Sequence, residues 1–150
     1  KGALSAMYIA ANRGKRVLVL DLKQPEARDI VLALVERADV LVQNMRPGVM
    51  ERLGLGPGAP LARNPRLVSL SITGFGPSGP DAGARVYDGV VQARAGLCAA
   101  NPHPDTGEPM LLPSALCDKL TALTAAQAVC SALLERARTG RGQHRVTPCL

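Results

Sequence analysis

The chain has no tryptophan, one phenylalanine and two tyrosines among its 150 residues. With aromatics at 2% there is little to stack on nucleobases, and the basic residues are spread along the chain rather than set on one helix face, so nucleic acid is not the expected partner. Histidine is scarce as well, with only His103 and His144. The four cysteines, Cys98, Cys117, Cys130 and Cys149, form no CxxC pair, so neither a metal site nor a disulfide framework is expected, and a reducing, cytoplasmic setting fits best. No segment offers the roughly 18 uninterrupted apolar residues that a membrane span needs. Residues 1–11 lack the basic region and apolar core of a signal peptide, and the sequence does not begin with methionine, which leaves its true start open.

What is present is an ordinary globular composition with a surplus of positive charge. Hydrophobic residues make up 47% and charged residues 20%, consistent with one domain that has a real core. The net charge is +6, and eleven of the eighteen lysines and arginines precede residue 67. Dispersed cations of this kind suit a phosphorylated small molecule.

The pattern along the chain alternates strands with helices. Val17 to Leu20 is a short apolar run ending at Asp21. Pro25 then opens a helix whose apolar residues Ala27, Ile30, Val31, Leu34 and Val35 share one face, ending near Ala38. Val40 to Val42 reads as a second strand, Val49 to Leu53 as a short helix or turn, and Gly54 to Pro60 as a loop. Leu67 to Ile72 reads as a third strand, running into the irregular loop Gly74 to Pro80. A helix is expected around Tyr87 to Leu97, a loop from Ala99 to Pro109 and a short strand from Met110 to Leu112. The longest helix should run from about Cys117 to Ala137, with Leu120, Leu123, Val129, Cys130, Leu133 and Leu134 as its apolar stripe, Cys130 in the core, and Gly140 as its stop. Continuous apolar strands joined by helices predict an α/β fold, a mainly parallel sheet with helices on both faces, whose ligands gather at the carboxyl ends of the strands.

Four stretches carry a resemblance. They are Asn12-Arg13-Gly14-Lys15-Arg16 with Leu20-Asp21-Leu22-Lys23; Asp39 to Gly48; Asn64-Pro65-Arg66-Leu67 with Gly74-Phe75-Gly76; and Cys117-Asp118-Lys119 with Thr139-Gly140-Arg141-Gly142-Gln143. In this order and approximate spacing they resemble the family III CoA transferases, the formyl-CoA and carnitine-CoA transferase group. The resemblance implies an enzyme that moves CoA from an acyl-CoA to a carboxylic acid through intermediates on an aspartate, and Asp118 matches that aspartate. A carboxylate there would attack the thioester carbonyl, forming a mixed anhydride and releasing CoA thiolate. The first turn of a helix favours negative charge, although an Asp before an apolar stripe is also what a plain helix cap looks like.

For CoA the resemblance implies contacts from Leu20, Asp21, Leu22 and Lys23, from Asn44, Met45 and Arg46, and from Arg52 and Arg85. The turn Val86, Tyr87 and Asp88 is implied to stand beside the thioester. Each arginine, and Lys23, has the plainer reading of a solvated surface charge. Related acyl-CoA racemases carry a histidine at the position of Tyr87, and a tyrosine, with an ordinary pKa of about 10, is a poor acid–base partner near neutral pH. Racemisation is therefore the alternative within the family, and a non-catalytic CoA- or nucleotide-binding fragment that keeps the fold and basic cleft is the alternative of a different functional class. Both histidines are expected to be exposed, and Cys117 has no nearby histidine to activate it.

Family proteins are usually much longer. They have an N-terminal strand and loop, a second small domain, a glycine-rich loop over the active site and interlocked homodimers, and none of these segments is expected from this chain. The tail from His144 to Leu150 diverges from the family's usual strand. The resemblance thus implies a partial CoA-binding domain, inactive alone, with open sheet edges prone to irregular pairing.

Overall fold

The computed structural model describes residues 5–149. Helix α1 (Ala6–Asn12) starts where the Ser5 hydroxyl accepts the Tyr8 amide at 3.1 Å, and it buries none of its residues. Helix α2 (Pro25–Val35) has Pro25 at its first turn and buries Ala27, Leu32 and Val35. Strand β1 (Val40–Gln43) follows, then short helices α3 (Val49–Arg52) and α4 (Gly58–Arg63), and strand β2 (Val68–Thr73). Helices α5 (Asp88–Arg94), α6 (Leu97–Ala100) and α7 (Leu116–Thr139) lead to strand β3 (Gln143–Pro148).

The three strands form one parallel sheet in the order β1-β2-β3, with Val40 opposite Val68 and Val68 opposite Gln143. Strand β2 is central, and Val68, Ser69 and Leu70 are buried. Helix α7 packs on β2 and β3. A second apolar cluster joins Leu32 of α2 with Met50 of α3 and Leu55, flanked by Leu22, Val31, Leu53 and Ala59. This is the α/β class that the alternation of apolar runs predicts.

Two polar side chains fix the entry to β2. The Asn64 amide donates to the carbonyls of Val35 and Ala38 at 3.0 and 2.9 Å, and its oxygen accepts the Arg66 amide at 3.0 Å. One residue thereby closes the end of α2, satisfying carbonyls that a helix terminus leaves open, and shapes the turn into the strand. Arg136, near the end of α7, donates to the carbonyls of Asp39 and Arg66 and to the Asp39 carboxylate at 2.9 Å.

The path from α7 to β3 depends on two glycines. Gly140 takes φ 74° to end the helix, the left-handed geometry common at helix C-termini. Gly142 passes so close to β2 that a Cβ there would stand 2.0 Å from the Leu67 carbonyl oxygen. That approach lets the Gly142 amide reach the Pro65 carbonyl at 2.8 Å and the Gln143 amide reach the Leu67 carbonyl at 3.0 Å.

Several expectations are corrected. Residues 17–20 form no strand: Val17, Leu18 and Val19 are exposed, because among the described residues no strand lies beside them to complete a ladder. Residues 110–112 are not a strand either; Pro109 and Pro113 flank them and cannot donate, leaving a single bridge between Pro102 and Pro109. The helix expected from Tyr87 to Leu97 breaks at Gly96, with φ 81°, into α5 and α6. Part of the segment read as loop, from Gly58 onward, is helical. The tail does form a strand, since β3 pairs with β2 along its length.

The buried face of α7 also differs from the apolar stripe. Cys117, Thr121, Ala125 and Ala132 are buried, whereas Cys130 is exposed and Leu120, Leu123 and Leu134 stand largely open. Small side chains at four-residue spacing let the helix lie close to the sheet.

The amino end of α7 has an unusual cap. Its N-cap residue, Ala115, has no side chain that could accept an amide. The Asp88 carboxylate, reaching across from α5, accepts the Asp118 amide at 2.9 Å instead. Chiefly because of that bond, the Asp88 carboxyl is held below its ordinary 3.8, with burial opposing and Gln92, Cys117 and Lys119 assisting.

Two outcomes follow from these contacts. Gly142→Ala should destabilise the fold by about 1–3 kcal/mol, because the new methyl meets backbone that cannot retreat; urea unfolding measures it, and an unchanged midpoint would show that β3 can pair without the close approach. Because folding lowers the Asp88 pKa, its stabilisation is fully present above pH 3.8 and disappears as the pH falls through the lower folded value. Thermal melts from neutral pH downward should show Asp88→Asn less stable than the parent at neutral pH, with the gap closing only below pH 3.8.

Candidate active site

Strands β1 and β2 are parallel, so their carboxyl ends emerge together, and both run directly into loops. After β1 the chain passes through Asn44, Met45 and Arg46 before Gly48, whose φ of 80° turns it into α3. The Gln43 side chain steadies this exit: its amide donates to Ser71 Oγ at 2.7 Å, and its oxygen accepts the Met45 amide at 2.7 Å. After β2 comes Gly74, where a Cβ would lie 2.1 Å from a methyl carbon of Val86. Only glycine lets the 84–87 segment settle onto the end of β2. Arg94 holds the loop beyond, pairing with Asp81 and placing its guanidinium 5.2 Å from the centre of the Phe75 ring.

Two clefts, of about 190 and 340 Å³, open at these strand ends. They share the walls Asn44, Ile72, Thr73, Gly74, Val86 and Tyr87. The smaller continues to Met45, Arg46 and Arg85; the larger reaches the first turns of α7 at Asp118, Thr121 and Ala122, with Cys149 from the end of β3. The two clefts adjoin through these shared walls, one lined by two arginines and the other by an aspartate. Such an arrangement can hold an anionic group while a carboxylate attacks an electrophile a short way off.

Most sequence-predicted site residues come together here: Asn44, Met45, Arg46, Arg85, Val86, Tyr87 and Asp118 line the two clefts. Others stand apart. Leu22, Lys23 and Arg52 line a separate groove of about 430 Å³ between the start of α2 and the end of α3. Asp21 is engaged locally, accepting the Lys23 amide at 3.1 Å, and Leu20 is half-buried in the extended segment before it. Asp88 sits behind the larger cleft, with its oxygens directed to the Asp118 amide and the Gln92 side chain.

Sequence reasoning passed over some of the residues in these places. Arg28 lines the Lys23 groove and has a buried Nε without a hydrogen-bond partner among the described residues. Its position one turn after Pro25, in the helix that follows Lys23, is the signal that could have found it. Thr73 Oγ1 at the end of β2 is likewise buried without a partner among the described residues. Both histidines correct an expectation: His103 and His144 are half-buried, and His144 has its Nδ1 3.1 Å from Ser69 Oγ, with burial pushing its pKa down against the opposing pull of Glu51. Burial, followed by the Asp88 and Asp118 charges, pushes the Cys117 thiol up, which disfavours its nucleophilic form. Among the described residues no group of three His, Cys, Asp or Glu side chains could hold a metal ion, and no helix is long and apolar enough to cross a membrane.

The chain is similar to known proteins over most of its length. The family model for CoA-transferase family III matches residues 1–147. Over 137 residues the chain is 39% identical to a probable fatty acyl-CoA transferase, Rv3272, of Mycobacterium tuberculosis, covering 91% of this chain and 34% of the relative. It is 40% identical over 140 residues to a succinate–glutarate CoA-transferase of Agrobacterium fabrum, covering 93% of this chain and 35% of the relative. Among solved structures, the D175A mutant of Rv3272 superposes with a TM-score of 0.87 at 36% identity, covering 97% of this chain and 41% of that one. A CAIB/BAIF family protein from Brucella suis gives 0.86 at 41% identity, covering 93% and 37%. The chain thus spans about a third of the length of the curated relatives it matches. With a matching family model over nearly all of its residues and the same fold in solved relatives, the chain belongs to CoA-transferase family III.

Proposed function

We propose that this chain is the CoA-binding and nucleophile-bearing part of an enzyme that transfers CoA from an acyl-CoA thioester to a carboxylic acid, with Asp118 as the nucleophile. The observation that carries the reading is the pair of adjoining clefts at the strand ends, with Arg46 and Arg85 lining one and Asp118 the other. Coenzyme A is an extended molecule, polyanionic at its nucleotide end and reactive at its thiol end. Adjoining clefts, one cationic and the other carrying a carboxylate, match that polarity.

The chemistry follows from the groups present. The Asp118 carboxylate attacks the thioester carbonyl, the C–S bond breaks, and CoA leaves as thiolate with its electron pair. The thiolate then attacks the aspartyl carbonyl of the mixed anhydride, releasing the donor's acid and leaving CoA on Asp118 as a thioester. An acceptor carboxylate repeats the sequence in reverse and departs as the new acyl-CoA, restoring Asp118. No proton need be moved by a side chain, which is consistent with a cleft lined by Tyr87 and by no histidine among the described residues. The relatives' names give different acids, including succinate, glutarate and oxalate. The acceptor is therefore assigned here only as a carboxylic acid. The separate groove with Lys23, Arg28 and Arg52 is a second cationic surface suited to a phosphate of the same ligand.

Incubation with a panel of short acyl-CoAs, quenching in hydroxylamine and intact-mass spectrometry tests the nucleophile. The expected result is an Asp118 hydroxamate, absent from Asp118→Ala. CoA binding without an adduct from any donor would leave this chain a non-catalytic binding unit. Calorimetry tests the cationic end: Arg46→Ala and Arg85→Ala should each weaken CoA binding by about tenfold or more, as expected for losing a charge-assisted bond to phosphate. Unaltered affinity in both would move the nucleotide end of CoA out of this cleft.

A further inference from the structure

We propose that Gln92 is a positioning residue for Asp118, an inference that rests on the reading of Asp118 as the nucleophile. Gln92 is 2% exposed, a polar side chain buried on α5. Its carboxamide is fully employed. The nitrogen donates to Asp88 Oδ1 at 2.5 Å and to the Ser114 carbonyl at 3.0 Å, and the oxygen accepts the Leu112 amide at 2.9 Å. Two donors and one acceptor are the specific requirement of this spot, and no apolar residue meets it.

Both connections lead to the first turn of α7. Through Leu112 and Ser114, Gln92 holds the segment that enters the helix, where the Leu116 amide reaches back to the Ser114 carbonyl at 2.9 Å and Lys119 Nζ to Ser114 Oγ at 2.9 Å. Through Asp88 it holds the helix from the side, because the other Asp88 oxygen accepts the Asp118 amide at 2.9 Å. The backbone of Asp118 is thus fixed both along the chain and across from α5. Its carboxylate, on the wall of the cleft, inherits that placement. Asp88 alone could swing about its side-chain torsions; the Gln92 bond to its second oxygen restricts them. A nucleophile that must meet a thioester carbonyl at close range is sensitive to such placement.

The test compares the parent chain with Gln92→Leu, using three readouts: backbone amide hydrogen exchange at Asp118, CoA affinity by calorimetry, and the single-turnover rate of Asp118 modification by acyl-CoA trapped with hydroxylamine. Positioning predicts that Asp118 amide protection falls by about tenfold, that the modification rate falls by about 10²-fold, and that CoA affinity is unchanged. Unchanged protection of the Asp118 amide overturns the proposal, as does a loss of modification rate matched by an equal loss of CoA affinity. If Gln92→Leu does not fold, Asp88→Ala, at a half-buried position, carries the same amide measurement, with lost protection expected and retained protection overturning the link. Should the parent chain yield no Asp118 adduct, the nucleophile reading fails by itself; the amide measurement still decides whether Gln92 holds the α7 turn.

Discussion

Strand β2 is paired on both edges, and most of what positions the cleft is a consequence of keeping that pairing parallel and in register. Parallel strands require a crossover between each pair; one here enters β2 from β1 and the other leaves β2 for β3. Its entry is tied down by Asn64 and Arg136, which join α2, β1 and α7 to the turn at residues 64–66. Its exit is Gly74, where the absence of a side chain admits Val86. Gly142 does for the β3 edge what Gly74 does for the exit, since each has a neighbour closer than a Cβ allows, the Leu67 backbone at Gly142 and the Val86 side chain at Gly74. With those constraints satisfied, the ends of β1 and β2 and the start of α7 have little freedom, and the depression between them is shaped before any ligand arrives.

At the start of α7 two aspartates divide the work. Asp88 is spent on structure: one oxygen takes a helix amide that the N-cap residue Ala115 cannot serve, and the other is held by Gln92. Asp118 lines the open cleft. A carboxylate that caps a helix is engaged and unavailable, so capping α7 from α5 leaves the proposed nucleophile free of that duty. The arginines at the far end supply the opposite sign of charge, and the positive surplus of the sequence acquires a location in Arg46 and Arg85 and in the groove of Lys23, Arg28 and Arg52.

Elements marked by continuous apolar runs and by Pro or Gly punctuation were legible in the sequence: α2 behind Pro25, β1, β2, and α7 up to Gly140. What a single sequence does not display is the neighbour. Residues 17–20 have a strand's composition, yet a strand exists only beside another, and residues 143–148 became one because β2 offered its edge in spite of their polar character. The face of α7 was misread for a related reason. Hydropathy points to Leu123 and Leu134, whereas the sheet accepts Thr121, Ala125 and Ala132 because they are small. At the site, Asn44, Met45, Arg46, Arg85, Val86, Tyr87 and Asp118 were recognisable as motif members, and they do line adjoining clefts. The Gln92–Asp88–Asp118 chain of bonds was not, because it links residues up to 30 positions apart through atoms that spacing does not encode.

The claim that the rest hangs on is that the β1 and β2 ends, the 84–87 segment and the first turn of α7 form one surface for one ligand. Titrating the isotopically labelled chain with CoA and following backbone amide resonances tests it directly. Saturable shifts with a single affinity at Asn44 to Arg46, Gly74, Val86, Tyr87 and Asp118 are predicted. Shifts confined to the groove of Lys23, Arg28 and Arg52, with Asp118 and Tyr87 unmoved, would contradict the account by separating the carboxylate from the site of CoA binding.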